Sequence, residues 1–326
     1  MEISRAVADV RPTPWTGRFD GDGDEHRRWW QAVAPHTPDA AAPGARDAGS
    51  RAAVVVGFRS DEGVRRNKGR IGAAAAPEAI RQALGPLAFH LDRDVFDAGD
   101  VVVEDGSVEA GSLEAGQARA GRVISELLDG GKLTVLLGGG HETAFASYLG
   151  VAGSETVRGG KRLGVLNLDA HFDLRDEPVP SSGTPFLQMA RAEAAEGREL
   201  NYAVVGISEP NNTRTLFNTA DRLGVKYLLD EECSAEAVQE FVARFLDSVD
   251  VLYLTIDLDV LPASVAPGVS APAAYGVPLP VISAVCKQVA TSGKLMHLDV
   301  AELNPEFDID SRTAKVAARL VNTLLG

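Results

Sequence analysis

The sequence predicts an α/β protein built on a parallel sheet, and two observations carry that prediction. Short β-branched runs recur from residue 52 onward, and they are continuously apolar instead of alternating with polar residues. Between most of them lie amphipathic stretches of helical period. A strand that is apolar on both faces must be covered on both, so the pattern reads as a sheet between two helical layers. An eight-stranded βα barrel satisfies the same observations and is the rival architecture.

In chain order the strand signals are AVVVGF (53–58), VVVE (101–104), LTVLLG (133–138), LGVLNLD (163–169), YAVVGI (202–207), VKYLL (225–229), VLYLTIDLD (251–259) and LMHLDV (295–300). Helical periodicity covers 77–84, with Pro77 in its first turn, and then 112–128, 234–246, 279–290 and 311–325. About eight strands in one rhythm suggest a single domain over residues 51–326. Residues 1–50, rich in Ala, Pro, Gly and Asp, read as a loop-rich N-terminal arm. Trp15, Trp29 and Trp30 are expected to anchor that arm onto the domain. Its DGDGDEH stretch (20–26) lacks the glutamate at the twelfth position that a calcium loop needs, and reads as a solvated loop.

Composition excludes several classes. The chain of 326 residues carries 32 Lys and Arg against 46 Asp and Glu, a formal charge of −14. Such an acidic chain without a basic run is a poor nucleic-acid binder. No apolar stretch approaches the roughly 20 residues that span a bilayer. The start, MEISRAVADVRPTPW, shows no apolar secretory core, so a cytoplasmic protein is expected. Cys233 and Cys286 both lie beside apolar segments and read as reduced core thiols.

Three strand ends hold most of the polar residues that invite a chemical reading. GGGHE (138–142) puts His141 at a strand-to-helix turn. LDAHFD (168–173) spaces Asp169, His171 and Asp173 at every second position, one face of an extended chain. TIDLD (255–259) repeats that spacing with Asp257 and Asp259. Ligands in open parallel sheets bind beyond the carboxyl ends of the strands, where all of these residues fall. Four carboxylates gathered there would need compensating charge, and two divalent cations supply it. Carboxylates with one imidazole per ion and no thiolate suit Mn²⁺, and two ions sharing a water favour hydrolysis.

GGGHE, DAHFD, DLDVLPASVAPGVSAP and DVAELNP (299–305) together resemble the ureohydrolase family of arginases, agmatinases and formimidoylglutamases. The resemblance runs from Asn67 to Asn304. It implies a three-layer α/β/α fold with a mostly parallel, about eight-stranded sheet, and two Mn²⁺ per subunit. It further implies that His141 and Asp173 complete one manganese site and His171 and Asp259 the other. Asp169 and Asp257 would bridge them, with a hydroxide held between the ions. Glu302 matches the carboxylate that faces the substrate's amidine or guanidine group, and Asp173 would assist catalysis beside it. The family commonly forms oligomers, which leaves a homo-oligomer open.

Within the family, DAHFDLR followed by SSGTPF is most similar to formimidoylglutamases, which cleave N-formimidoyl-L-glutamate to glutamate and formamide in histidine breakdown. Arginases carry a histidine where this chain has Phe186, and an asparagine where it has Arg175. A dicarboxylate substrate needs positive charge or N–H donors. Arg175 is the first candidate, with Ser181 and Ser182 nearby and Thr184-Pro185 as a helix start. Arg65, Arg66 and Arg70 are further candidates, with an exposed basic loop as the competing reading. Another amidino- or guanidino-acid hydrolase is the alternative, and a non-catalytic metal-binding relative the remaining one.

Overall fold

Among the described residues, the nine strands of the sheet all run parallel to their neighbours, in the order β1-β3-β2-β4-β9-β8-β5-β6-β7. They are β1 (Ala34–Pro35), β2 (Ala53–Arg59), β3 (Val95–Val102), β4 (Leu133–Leu137), β5 (Leu163–Leu168), β6 (Asn201–Ile207), β7 (Lys226–Leu229), β8 (Val251–Asp257) and β9 (Leu295–Ala301). This computed structural model describes residues 8–37, 50–103 and 112–326. The sheet is open, with β1 and β7 at its edges, so the barrel is excluded.

Two helical layers cover it. On one face α3 (Ala76–Leu84), α9 (Ala235–Asp247), α10 (Leu279–Thr291) and α11 (Arg312–Leu325) pack side by side. On the other, α4 (Ser112–Asp129), α5 (Thr143–Gly153) and α7 (Pro185–Ala195) do the same. The short helices α1 (Trp29–Ala32), α2 (Glu62–Arg66) and α6 (Glu155–Arg158), with α8 (Arg214–Arg222), are the remaining α-helices among the described residues. Strand β2 shows why the run AVVVGF never alternates. Its Ala53 and Val55 pack with Ile80 of α3, while Val54 and Val56 pack with Ile124 of α4. Successive side chains meet opposite helical layers, and both layers are apolar.

Residues 8–37 contribute more to the fold than an irregular arm would. Strand β1 extends the sheet beside β3, and the ring of Trp29 is fully buried, stacked on Trp15 at 6.1 Å. The DGDGDEH stretch is held at its start by ion pairs of Asp20 with Arg18 and Arg28. Strand β3 begins six residues before the apolar signal at 101–104, because Asp97 and Asp100 interrupt its pattern. Arg81 of α3 neutralises both, at 2.9 Å and 2.6 Å.

This topology places the site. Strands β4, β9, β8 and β5 are consecutive neighbours at the centre of the sheet, and their carboxyl ends form one continuous rim. The GGGHE motif follows β4, the ligands of DAHFD follow β5, TIDLD runs across the end of β8, and Glu302 follows β9.

Candidate metal centre

The turn after β4 is locked from two sides before it reaches His141. A side chain at Gly139 would stand 1.6 Å from the carbonyl oxygen of Ser60, so only glycine lets these backbones meet. Gly140 N–H donates to that carbonyl at 3.1 Å, and the Gly139 carbonyl accepts from Glu302 N–H at 2.8 Å. Asp169, His171 and Asp173 lie beyond the end of β5, so strand alternation does not align them. The loop bends instead, with Asp173 in the left-handed region at φ 48°. Asp257 closes β8, and its Oδ1 accepts from the backbone of Asp259 at 2.9 Å. That bond holds Asp259 in a 3₁₀ turn.

The six side chains converge as two groups able to hold an ion. His141, Asp169, Asp173 and Asp257 form one, and Asp169, His171 and Asp259 the other. Nδ1 of His141 faces Asp173 at 2.9 Å, Asp169 at 3.1 Å and Asp257 at 3.2 Å. Nδ1 of His171 faces Asp259 at 3.0 Å and Asp169 at 3.6 Å. Asp169 is common to both groups, whereas Asp257 belongs only to the group of His141, Asp169 and Asp173. Burial, then the charges of Asp259 and Asp169, push the Asp257 carboxyl well above its ordinary range. Burial also disfavours a charged His141, yet Asp169, Asp173 and Asp257 raise it well above the usual imidazole value. Oxygen and imidazole donors crowded without enough positive charge fit a pair of divalent cations.

A cavity of about 210 Å³ opens over the cluster, lined among others by Asn67, Arg175, Ser182, Asn211, Ser270 and Glu302. Glu302 sits at φ 68° and is buried. Its Oε1 accepts from His141 N–H at 2.8 Å and its Oε2 from the Ser270 hydroxyl. Burial pushes this carboxyl up to about 7, with those two donors pulling the other way. Ser182 accepts from Asn67 Nδ2 at 3.1 Å.

Other residues expected to touch a substrate stand behind the wall. Ser181 donates to Glu177 at 3.1 Å, and the one hydrogen of the Thr184 hydroxyl is shared between the Ser181 carbonyl at 3.0 Å and Gln188 Oε1 at 2.9 Å. Thr184 does precede α7 with Pro185 in its first turn, but the Phe186 N–H is taken by the Asp173 carbonyl. Arg70 gives its guanidinium to the carbonyls of Val269 and Ser270 and lies 4.2 Å over the Phe307 ring. It shapes the loop that carries Ser270 and is not on the cavity lining.

A sequence profile of the arginase family matches residues 51–326. The chain belongs to the arginase family. It is 57% identical over 322 residues to a formimidoylglutamase of Nocardia farcinica, covering 97% of each chain. It is 54% identical to one of Rhodococcus opacus, covering 97% of this chain and 96% of that one. Among solved structures, the formimidoylglutamase of Bacillus subtilis aligns with TM-score 0.80 at 20% identity, over 95% of this chain and 94% of that one. A formiminoglutamase of Trypanosoma cruzi, solved with Mn²⁺, aligns with TM-score 0.73 at 23% identity, over 84% and 92%. At those identities the solved structures speak for the arginase fold alone.

Within this arginase-family site, Phe186 is fully buried behind His141, edge-on at 5.4 Å and stacked on Tyr202 at 4.4 Å. It walls the imidazole and does not reach the cavity. Sequence reasoning missed the residues that brace the cluster from behind. Asn167 Nδ2 donates to Asp169 at 2.9 Å and to Tyr202 at 3.0 Å. Glu142, adjoining His141, accepts from Ser60 at 2.8 Å and Gly63 N–H at 2.9 Å. Burial, with Glu302 adding, pushes its carboxyl up to about 8. A polar residue inside an otherwise apolar strand, as in NLD at 167–169, is the signal that could have found Asn167.

Proposed function

We propose that this chain hydrolyses N-formimidoyl-L-glutamate to L-glutamate and formamide, with two Mn²⁺ ions held by His141, Asp169, His171, Asp173, Asp257 and Asp259. The observation that carries the reading is a cavity lined both by residues of this cluster and by Arg175. Among the described residues, no hydrogen bond or ion pair holds the Arg175 side chain. The names of the curated relatives, at 57% and 54% identity, support the same substrate. Residues 51–326 act as the catalytic domain in this reading, with residues 1–50 as an arm.

A pair of divalent ions, when bound, supplies hydroxide near neutral pH and polarises the carbon under attack. The rest is done by side chains. Glu302, held by the His141 N–H and Ser270, receives the amidinium of the substrate. Arg175 and Ser182 take a glutamate carboxylate by charge-assisted hydrogen bonds. Water adds to the formimidoyl carbon, the bond from that carbon to the glutamate nitrogen breaks, and Asp173 carries the proton to the departing nitrogen. Phe186 cannot serve as a shuttle, because its ring has no titratable group. The free, buried thiols of Cys233 and Cys286 fit a reducing, cytoplasmic setting.

The test is a product assay on purified protein loaded with Mn²⁺, with bound metal measured on the same sample. Formamide from formimidoylglutamate, and no urea from arginine or agmatine, is expected. Urea from a guanidino substrate would move the chain to another branch of the family. Absence of formamide from a metal-replete sample would overturn the proposal.

A further inference from the structure

Behind His141, on the side away from the carboxylate cluster, a chain of hydroxyls ends on one buried acid. Nε2 of His141 stands 3.0 Å from Thr255 Oγ1, and that hydroxyl donates to Asp299 Oδ1 at 2.6 Å. Thr255 and Asp299 are direct cross-strand partners of β8 and β9. The other oxygen of Asp299 accepts from Ser147 of α5 and from Tyr253, two residues earlier on β8. Ser147, Tyr253, Thr255 and Asp299 are all buried, none lines the cavity, and no step of the proposed reaction uses them.

The direction of this chain is forced. A hydroxyl has one hydrogen to give, and a carboxylate only accepts. The hydrogens of Ser147 and Thr255 therefore point at Asp299, as does that of Tyr253, whose other acceptor, the Ala144 carbonyl, is farther away at 3.3 Å. Thr255 Oγ1 is left with lone pairs alone to offer His141, which keeps a hydrogen on Nε2. The neutral ring then carries its lone pair on Nδ1, the nitrogen that faces Asp169, Asp173 and Asp257.

We infer that Asp299 is a positioning residue that, through Thr255, holds His141 in the tautomer able to bind a cation at Nδ1. The inference rests on the metal reading of the cluster. Partners of this kind behind a ligand orient the ring and raise its affinity for the ion. An amide in place of Asp299 could donate to Thr255, reverse the chain and drive the hydrogen from Nε2 to Nδ1. Thr255→Val would remove the acceptor altogether, whereas Thr255→Ser keeps it.

The test titrates the full-length protein and its variants with Mn²⁺ and reads bound ion. Asp299→Asn and Thr255→Val should each bind about ten- to a hundredfold more weakly, while Thr255→Ser binds as the parent does. Ser147→Ala removes a donor to the same carboxylate without touching the chain to His141, and should leave binding unchanged. With six histidines in the chain, ¹⁵N-histidine NMR of the Zn²⁺-loaded protein gives a second readout. A hydrogen on Nε2 of His141 is expected in the parent and in Thr255→Ser. Should Asp299→Asn fail to fold, the Thr255→Val and Thr255→Ser pair carries the test. Parent-like affinity in Thr255→Val, or a loss in Ser147→Ala as large as its own, would overturn the inference. A parent that binds no Mn²⁺ overturns the metal reading beneath it, which the same titration distinguishes.

Discussion

Arg175 faces the cavity as a cation without a bonding partner among the described residues, and it is exposed at the mouth. Removing it deletes a contact to the substrate without leaving a buried charge behind. Arg175→Ala should raise KM for formimidoylglutamate about tenfold, the scale of one charge-assisted contact worth about 1.5–3 kcal/mol, with kcat little changed. An unchanged KM in steady-state kinetics would place the substrate's carboxylates elsewhere. The residues of the cluster were legible in the sequence because their spacing after apolar strands is unusual for plain turns. Arg70 was not, since its partners lie about 200 positions away at Val269 and Ser270. Thr255 and Asp299 were equally hidden, because each looks like one polar interruption until the register of β8 and β9 sets them opposite each other.

At the scale of elements, the turn from β4 into α5 is the tightest junction of the site. Its Gly139 touches the backbone between β2 and α2 and also holds the backbone of Glu302. Gly139→Ala should lower unfolding free energy by about 1–3 kcal/mol, the usual cost of overpacking, and impair turnover through the displaced Glu302. Denaturant unfolding checks the first effect, and unchanged stability would show that the Ser60 backbone yields freely. The longer strands and the helices α3, α4, α9, α10 and α11 were readable from periodicity because each has one apolar face or two. Helix α5 was not, because its residues Ala144, Ala146, Tyr148 and Val151 are buried on several sides and leave no polar stripe. Strand β1 escaped for another reason, as two residues are too few for any pattern.

Over the whole molecule, acid sensitivity has an identifiable source in the sheet itself. His297 of β9 has no exposed surface, its Nδ1 pairs with Thr134 of β4 at 2.7 Å, and Tyr253 of β8 packs on its ring. Burial pushes its imidazole down to about 3, and its Nε2 has no partner among the described residues. Below the ordinary value of about 6.5 the unfolded chain takes up a proton that the folded chain refuses. Stability therefore falls as pH drops from about 6.5 toward about 3, by up to about 1.4 kcal/mol per pH unit. His297→Gln should flatten that slope, read from denaturant unfolding at several pH values in excess chelator. Equal slopes in the two proteins would assign the acid lability elsewhere. Strand β9 carries a further consequence through its place in the sheet. It lies between β4 and β8, yet it comes last in the chain among the described strands. Without β9, β4 and β8 would each lack one of their two pairing partners, and His141 would have neither Glu302 in front nor Asp299 behind. The site is thus complete only once β9 has been made, and a chain that stops short of residue 302 would hold the metal-ligand motifs without the carboxylate that faces the cavity.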